Sequence, residues 1–325
     1  MKKLFALLIL AAALVSCYKD YVEDFTYNAV YFPNTIDVRT VVVGEGLKVK
    51  IGVALGGVMD NTMNRNVNFV LNNSLITPAV LTNMKASSYG YIKNAVSSLT
   101  TLLPLPPNYY TLSNTSAIVI AAGQHSGTVT LKVDSAVFLA DAATLNPKYV
   151  VPFYITTADV DSILENNRSA IVGIKYENML FGNYLHGGVT TVKDASGTTI
   201  QTIVYNTTVS EGDTKIWKLT TVAPNALTTN GYSDQTSTSK QELQLTLNGT
   251  DIAVSTASGS TNTYIANGAS TYNNAKLLQN RKILLNYKYV DGANTYYCQD
   301  TLTFRNRIRD GVNEWQDEDP SHYTK

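Results

Sequence analysis

A regular alternation of apolar and polar residues, broken at short intervals by turn residues, constrains this sequence most strongly. Between Ser126 and Val133, polar Thr and Lys side chains alternate strictly with Val and Leu. A period of two residues places the two sets on opposite faces of a strand. The 325 residues also include 39 Thr, 30 Asn and 21 Tyr. Thr and Tyr favour pleated, half-buried surfaces and Asn favours turns, so the sequence predicts an all-β protein.

Charge and residue counts exclude several function classes. The 25 Lys and Arg residues balance 25 Asp and Glu residues, so the formal net charge is 0. A nucleic-acid partner requires clustered excess positive charge, and we therefore expect no nucleic-acid binding. With 3 His and 2 Cys, the chain has few side chains for zinc binding or nucleophilic catalysis.

Turn signals divide the sequence into two β modules in series. Residues 29–176 contain seven or so predicted strands, which is typical of an immunoglobulin-like β-sandwich. Residues 177–313 contain seven or eight, joined by tight turns such as Asn248-Gly249, whose residues tolerate positive φ. This second module is predicted to be a meander β-barrel, lipocalin-like, or a second sandwich; periodicity does not separate the two. Residues 17–28 are predicted to form a linker and residues 314–325 an acidic tail.

The first module also contains a long segment without clear periodicity. Residues 72–105 are rich in Ser and Thr and predict a decorated loop. Helical turns are predicted only within residues 137–145 and 159–165.

The amino terminus has the pattern of a bacterial export signal. Two lysines precede an apolar run of 12 residues, Leu4 to Val15, which is too short to span a hydrocarbon core of about 30 Å. The run ends in Leu-Val-Ser-Cys17 and resembles a bacterial lipobox, which implies removal of residues 1–16 and lipidation of Cys17. The alternative is a secretory peptide with a chance cysteine. Lipidation would leave Cys298 without an intramolecular disulfide partner.

Four short stretches, two in each module, carry a resemblance to a known family. Residues 105–112 read Leu-Pro-Pro-Asn-Tyr-Tyr-Thr-Leu, and residues 149–156 read Tyr-Val-Val-Pro-Phe-Tyr-Ile-Thr. Both resemble the amino-terminal immunoglobulin-like domain of Bacteroidetes surface lipoproteins of the polysaccharide-utilisation-locus type. Residues 181–188 and 300–311 are similar to parts of the carboxy-terminal domain that often follows it. Neither of these domains has an assigned biochemical role.

The resemblance covers essentially the whole mature chain and implies a role by association. It implies glycan handling at the outer membrane, with an outer-membrane transporter complex as a further partner. Lys19 and Asp20, just after Cys17, partly match the lysine-then-acid pattern associated in Bacteroidetes with export to the cell surface. We therefore expect a lipid-anchored outer-membrane protein exposed at the cell surface.

The acids and histidines do not form a pattern typical of a catalytic or metal site. Glu211 and Asp213 flank a glycine in a turn, where solvated acids are ordinary, whereas a glycosidase pair brackets a sugar. Asp159, Asp161 and Glu165 lack the glycine and the final acid of a calcium-binding EF-hand loop. We therefore predict that Asp159 caps a short helical turn, with a calcium ligand as the alternative. The three histidines show no metal-ligand spacing, so we predict no enzyme, metal or cofactor.

A glycan-binding site requires only exposed aromatic rings close to amide and hydroxyl groups. Tyr89 and Tyr91 are candidates because they lie in the predicted loop. The candidates in the second module are Trp217, Trp315, Tyr184 and His186. For Trp217 the competing interpretation is burial, because it shares a strand face with Leu219. For Trp315 the competing interpretation is docking on the barrel.

We expect the principal ligand site in the second module, which holds both Trp residues and the Gly-rich segment around Tyr184 and His186. Alternating Arg305, Arg307 and Arg309 share a strand face, either as an ion-paired barrel edge or as a site for an acidic sugar. The leading hypothesis is a surface lipoprotein that binds glycan as an accessory to polysaccharide or host-glycan uptake. The alternative is a structural or adhesive surface component, for which an unpaired apolar edge strand would be the sign.

Overall fold

A computed structural model of the chain describes residues 27–205, 215–236 and 240–316. The predicted export signal, the lipidation residue Cys17 and the acids Glu211 and Asp213 lie outside these residues, and so does the end of the predicted acidic tail. The described residues form an all-β protein, which confirms the predicted fold class.

The first module contains eleven strands and three short α-helices. The strands are β1 (Ala29–Tyr31), β2 (Ile36–Val43), β3 (Lys48–Gly56), β4 (Arg65–Leu71), β5 (Leu103–Pro104), β6 (Tyr110–Leu112), β7 (Ala117–Ile120), β8 (Ser126–Val133), β9 (Tyr149–Ala158), β10 (Ser162–Ile163) and β11 (Ser169–Asn178). The helices are α1 (Pro78–Lys85), α2 (Gly90–Ala95) and α3 (Ser135–Phe138).

Two sheets form the predicted β-sandwich. One has the strand order β10-β1-β3-β8-β6, and the other has the order β2-β11-β9-β4-β7, with β5 beside β9. In β8 the alternate residues Val129, Leu131 and Val133 are buried, as their period of two predicts. They pack against residues of the opposite sheet such as Phe153 and Ile174 in one apolar core.

The second module contributes thirteen strands to the described part of the chain. They are β12 (Gly182–Lys193), β13 (Thr199–Tyr205), β14 (Lys215–Ala223), β15 (Ala226–Thr229), β16 (Gly231–Tyr232), β17 (Gln235–Thr236), β18 (Leu243–Asn248), β19 (Asp251–Thr256), β20 (Tyr264–Ala266), β21 (Thr271–Tyr272), β22 (Lys282–Asp291), β23 (Asn294–Arg309) and β24 (Val312–Glu314).

Strand pairing closes this module into a barrel. Neighbouring strands follow chain order from β12 through β14, β15, β18, β19, β21 and β22 to β23, and β23 then pairs with β12 along residues 183–193. The link between β19 and β21 is a single residue pair, Asp251 with Thr271. A meander whose last strand pairs with its first has no open edge within the ring. The structure therefore favours the barrel over the second sandwich.

Residues 72–105 do not form the predicted loop. They contain α1 and α2, whose Leu81, Met84 and Ile92 are buried against Val38 and neighbouring apolar residues. Pro78 begins α1 at a position where its missing N–H costs nothing. The sequence does not reveal these helices, because each is short and only a few of its residues reach the core. The many Ser and Thr residues around them favour a loop prediction.

Asp159 does not cap a helical turn, which corrects a second local prediction. Residues 162–163 form β10, and the Asp159 carboxylate accepts hydrogen bonds from the backbone N–H and the side-chain amide of Asn66, each at 2.9 Å. The acid therefore ties two parts of the sandwich together.

A buried group of ion pairs joins the sandwich to the barrel. Glu45, in the turn between β2 and β3, accepts hydrogen bonds from Arg307 Nη1 and Nη2 at 2.9 and 2.8 Å and from Arg281 Nη2 at 2.8 Å. Both arginine side chains are 1% exposed. Burial opposes ionisation of Glu45, but the hydrogen bonds and charges of Arg307 and Arg281 outweigh it, so the pKa of Glu45 lies below its usual range.

We expect the Met84→Ala substitution to lower the free energy of unfolding by about 3 kcal/mol, because the side chain of Met84, on α1, is fully buried. The matched control is Met63→Ala, in which the methionine is 51% exposed and the expected change is under about 0.5 kcal/mol. Urea unfolding measures both variants. An equal change in the free energy of unfolding for the two variants would contradict the burial of Met84. It would favour the loop that the sequence predicts for residues 72–105.

We also expect Glu45→Gln to lower the free energy of unfolding by about 3 kcal/mol near neutral pH, because two buried guanidinium groups lose their counter-ion. A carboxyl whose folded pKa is depressed contributes stability above its unfolded pKa of about 4.3, and this stability is lost as pH falls through the folded pKa. The difference between wild type and variant should therefore be constant above about pH 5 and shrink below about pH 4.

The control for the Glu45 series is Glu165→Gln. The Glu165 side chain is 75% exposed and pairs with Arg168 at 3.1 Å, so its loss should change stability by under about 1 kcal/mol. A difference for Glu45→Gln that stays constant down to about pH 3 would contradict the ion-pair explanation.

Candidate functional site

A cleft of about 1000 Å³ lies where the sandwich and the barrel meet. One wall comes from the sandwich, with Tyr89, Tyr91 and Asn94 at the start of and within α2. The opposite wall comes from the barrel, with Lys218 on β14 and Val312 on β24. Because each module supplies one wall, the joint described above fixes the width of this cleft.

Two tyrosines give the cleft its aromatic surface. The Tyr89 side chain is 57% exposed, and its ring centroid lies 6.0 Å from that of Tyr91, with 47° between the ring planes. Tyr91 is half-buried and donates a hydrogen bond from its hydroxyl to Asp37 Oδ1 at 2.7 Å. Burial and this bond to a carboxylate raise the pKa of Tyr91, so its hydroxyl remains protonated.

On the barrel side, the turn between β23 and β24 packs closely against the Tyr91 ring. Gly311 there has φ +81°, and a Cβ atom at this position would lie 2.8 Å from Tyr91 Cδ1. Its neighbour Asp310 accepts hydrogen bonds from the hydroxyl and the backbone N–H of Thr40, at 2.7 and 3.2 Å. Burial raises the pKa of Asp310, although the bonds from Thr40 act in the opposite direction. The tyrosine ring is thus held between the modules.

Polar groups complete the cleft lining. The side chains of Asn34, Asn94 and Asn146 supply amide donors and acceptors. Lys175 and Glu177, on β11, form an ion pair with 2.6 Å between Nζ and Oε1. Exposed aromatic faces beside several amides can hold a hydroxyl-rich ligand by ring stacking and hydrogen bonding.

The structure therefore brings Tyr89 and Tyr91 together, and it separates them from the other predicted ligand residues. Trp315 follows β24, is 57% exposed and lies outside the lining of the cleft. Exposure agrees with the prediction of an accessible ring for Trp315, and its role as a ligand contact stays a prediction.

Tyr184, Trp217 and His186 are buried inside the barrel, whereas their prediction as ligand contacts requires exposed rings. Tyr184 and Trp217 have no exposed surface and His186 has 2%. The hydroxyl of Tyr184 donates to the backbone oxygen of Leu180 at 3.0 Å, and Trp217 Nε1 donates to the backbone oxygen of Gln235 at 3.2 Å. Alternation on β12 and β14 turns all three rings inward, which confirms the competing interpretation for Trp217.

Sequence analysis missed a buried polar cluster around Asp300. This carboxylate accepts hydrogen bonds from the hydroxyls of Tyr205 and of Tyr287, the latter at 2.6 Å. His186 Nε2 lies 3.4 Å from Asp300 Oδ1, and the imidazole stacks on Trp217 with 3.9 Å between ring centroids. Strict alternation along β23 carried a signal for an inward-facing acid, but its partners come from distant strands. The His186 and Asp300 side chains are at most 1% exposed, so this cluster lies in the interior of the barrel.

The other titratable groups also have structural roles. Burial raises the pKa of the Cys298 thiol to about 12, and the charge of Asp300 adds to this effect, so the thiol stays protonated and unreactive. Arg307 pairs with Glu45 and Glu314, and Arg309 pairs with Glu314. For these two arginines the ion-paired interpretation is confirmed.

Two further features concern metals and membranes. Within residues 27–205, 215–236 and 240–316, no group of three or more His, Cys, Asp or Glu side chains could hold a metal ion. Asp161 accepts a hydrogen bond from the backbone of Asn28, and Glu165 pairs with Arg168. No helix in the same part of the chain is long and apolar enough to span a membrane.

We expect Trp217→Ala to lower the free energy of unfolding by about 4 kcal/mol, because it leaves a large cavity inside the barrel. The matched control is Trp315→Ala, for which exposure predicts a change under about 0.5 kcal/mol. Chemical denaturation monitored by circular dichroism measures both variants. A fully stable Trp217→Ala protein would contradict the buried position.

Comparisons with known proteins support the fold. Residues 25–162 match a family model described as an N-terminal domain. No curated protein matches the sequence. A solved Bacteroides ovatus protein of unknown function is 22% identical, covers 90% of this chain and 99% of its own, and has a TM-score of 0.62. This likeness shows a shared two-part β fold.

Two other solved structures are more distant. A second B. ovatus protein of unknown function is 12% identical, with 90% and 98% coverage and a TM-score of 0.44. A B. ovatus ATCC 8483 protein described as a candidate carbohydrate-binding protein is 15% identical, with 70% and 66% coverage and a TM-score of 0.30. These scores are too low to carry an argument about this chain. The family match covers residues 25–162, less than half of the chain, and the likeness to the first B. ovatus structure is one of fold alone.

Proposed function

We propose that the protein is a lipid-anchored surface protein that binds a glycan in the cleft between its two modules, as an accessory to polysaccharide or host-glycan uptake. The observation that carries this proposal is the exposed Tyr89 ring beside Tyr91 in an amide-lined cleft of about 1000 Å³. The proposed ligand site lies at the joint, whereas the sequence alone pointed to the second module.

Sugar chemistry fits the groups that line the cleft. A pyranose ring has an apolar face of C–H groups, which packs on an aromatic ring, and an equatorial belt of hydroxyls. The Tyr89 face supplies the first contact, and the amides of Asn34, Asn94 and Asn146 supply donors and acceptors for the second. Tyr91 is held at both its hydroxyl and its ring, so little side-chain entropy is lost there on binding.

The acidic side chains that line the cleft already form an ion pair or hydrogen bonds, which favours binding without catalysis. Glycoside hydrolysis needs two carboxyl groups that are free to face the scissile bond. Glu177 is paired with Lys175, and Asp310 accepts two hydrogen bonds from Thr40. These engagements support a binding role.

The anchor proposal rests on the Leu-Val-Ser-Cys17 sequence. The first strand begins at Ala29, twelve residues after Cys17, so the connecting chain reaches at most about 40 Å. An anchor at Cys17 would keep the sandwich near the membrane and the barrel on its far side. Replacing Cys17 with Ala should release the protein from the membrane fraction, and an unmodified Cys17 in its mass spectrum would contradict the proposal.

The competing assembly role has one observation in its favour. The outer edge of β13 has no ladder partner within the described residues, and Ile200 and Val204 on it are 54% and 68% exposed. A bulge where β13 meets Val192 and Lys193 interrupts the ladder, which is a device that protects edges from pairing. Glycan binding therefore remains the first proposal.

We expect Tyr89→Ala to weaken glycan binding by about tenfold, because a stacking aromatic contributes about 1–2 kcal/mol. A screen of the full chain against polysaccharides and host glycans identifies a ligand, and isothermal titration then measures affinity. The matched control is Tyr27→Ala, since Tyr27 is also 57% exposed but lies outside the cleft lining.

Three outcomes separate the alternatives for this site. Loss of affinity in Tyr89→Ala with an unchanged Tyr27→Ala supports the cleft. Equal affinity in all three proteins places the glycan elsewhere. No binding to any glycan in the screen overturns the proposed function and favours the assembly role.

A further inference from the structure

Three lysines that pair with no acid among the described residues lie together on one face of the sandwich. Lys48 and Lys50 are two residues apart on β3, and Lys132 lies directly opposite Lys48 on the neighbouring strand β8. All three are exposed, while the intervening Val49 and Leu131 point into the core. Within the described ranges, none of the three ammonium groups forms an ion pair or a side-chain hydrogen bond.

This arrangement carries an electrostatic cost. Directly opposite residues of an antiparallel pair have Cβ atoms about 5 Å apart, and like charges there destabilise the sheet. The whole chain has a formal net charge of 0, so the cluster is not a by-product of a basic protein. A binding site for negative charge would explain such local repulsion, because an anion removes it on binding.

Lys48 and Lys50 border a groove at the joint between the modules, and Lys132 lies beside it as the cross-strand neighbour of Lys48. The basic groove, as we name it, is a cavity of about 580 Å³ whose lining includes Lys48, Lys50, Thr130 and Arg309. Its acids are engaged: Glu314 is paired with Arg307 and Arg309, and Glu45 with Arg307 and Arg281. Among the described residues, no acid of the groove lining pairs with Lys48 or Lys50, so both ammonium groups can bind an anionic ligand.

The basic groove is continuous with the tyrosine cleft. A smaller cavity of about 300 Å³ shares Lys48, Lys50 and Arg309 with the basic groove, and Thr40, Asp310 and Val312 with the cleft. The turn between β23 and β24 lies between the two, so an extended ligand can cross it. Asp310 on this turn is engaged by Thr40, and Arg39 is paired with Asp37 at 2.9 Å.

We propose that the glycan is anionic, with carboxylate or sulfate groups that bind Lys48, Lys50 and Lys132 while a neighbouring sugar ring stacks on Tyr89. This inference rests on the proposed glycan-binding function and adds its substrate class. Carboxylate and sulfate oxygens accept the charge-assisted hydrogen bonds that ammonium groups donate. Exposed charges are screened by salt, so the affinity should fall about tenfold between about 50 and 500 mM NaCl.

The test uses the full chain and three probes: polygalacturonate, dextran sulfate and neutral dextran. We expect binding to at least one of the two acidic polymers and weaker binding to neutral dextran. The double variant Lys48→Gln/Lys132→Gln should reduce affinity for the acidic polymer about tenfold, since one exposed charge contact is worth up to about fivefold. The matched control is Lys282→Gln, an exposed lysine on β22 outside the basic groove, which should bind as wild type does.

A second readout distinguishes a binding role from a structural one. Because Lys48 and Lys132 repel each other, the double variant should keep or raise the melting temperature while it loses affinity. A fall in the melting temperature that accounts for the lost affinity would overturn the proposal. An equal loss of affinity in Lys282→Gln and in the double variant would overturn it as well.

The remaining outcomes separate this inference from the proposed function. Binding to a neutral glycan that depends on Tyr89, with no binding to either acidic polymer, overturns the anionic class and leaves the cleft in place. Binding to phosphatidylglycerol vesicles but to no polymer overturns it too and assigns the lysines to a membrane surface. No binding to any probe or screened glycan overturns both proposals.

Discussion

The carboxylate of Glu45 crosses from the sandwich into the barrel, where Arg281 and Arg307 hold it from two sides. Removing three charged groups from water is expensive, and it is tolerated only where hydrogen bonds satisfy most of their donors and acceptors. The planar guanidinium of Arg307 meets both oxygens of Glu45, which sets orientation as well as distance. Glu45 therefore fixes the relative position of the two modules together with the contacts of Thr40 and Tyr91 to the turn between β23 and β24.

Both candidate binding surfaces lie beside this joint. The tyrosine cleft and the basic groove open on either side of the turn between β23 and β24, and each takes residues from both modules. Asp310 and Gly311 fix this turn against Thr40 and Tyr91. A rigid divider of this kind preorganises two neighbouring sites and spares a ligand the cost of ordering them.

The sequence predicted what depends on local periodicity. The alternation of Val129, Leu131 and Val133 with polar residues predicted a strand at residues 126–133, and β8 spans these residues. The helices α1 and α2 were missed, since they are short and each buries few residues. Tyr89 stays a ligand candidate, because it is exposed whether its segment is a loop or a helix start.

The periodicity of the sequence does not predict contacts between distant segments of the chain. Glu45 and Arg307 are 262 residues apart in sequence, and nothing in either segment shows that they meet. The same holds for the Asp300 cluster, where alternation predicts an inward side chain but not its hydrogen-bond donors. Tyr184 and His186 were assigned to a ligand because a Gly-rich segment suggested open backbone, whereas that segment lies between strands of a closed barrel.

The division of the cleft walls between modules has a consequence for how such a protein diversifies. A chain that kept this sandwich and exchanged its second domain would retain Tyr89 and its stacking surface, but it would lose Lys218, Val312 and the turn that supports Tyr91. Under the proposed function, ligand preference would belong to the pair of domains and not to either one. Recombination at the short segment between Asn178 and Gly182 would generate new specificities without a single substitution in the aromatic wall.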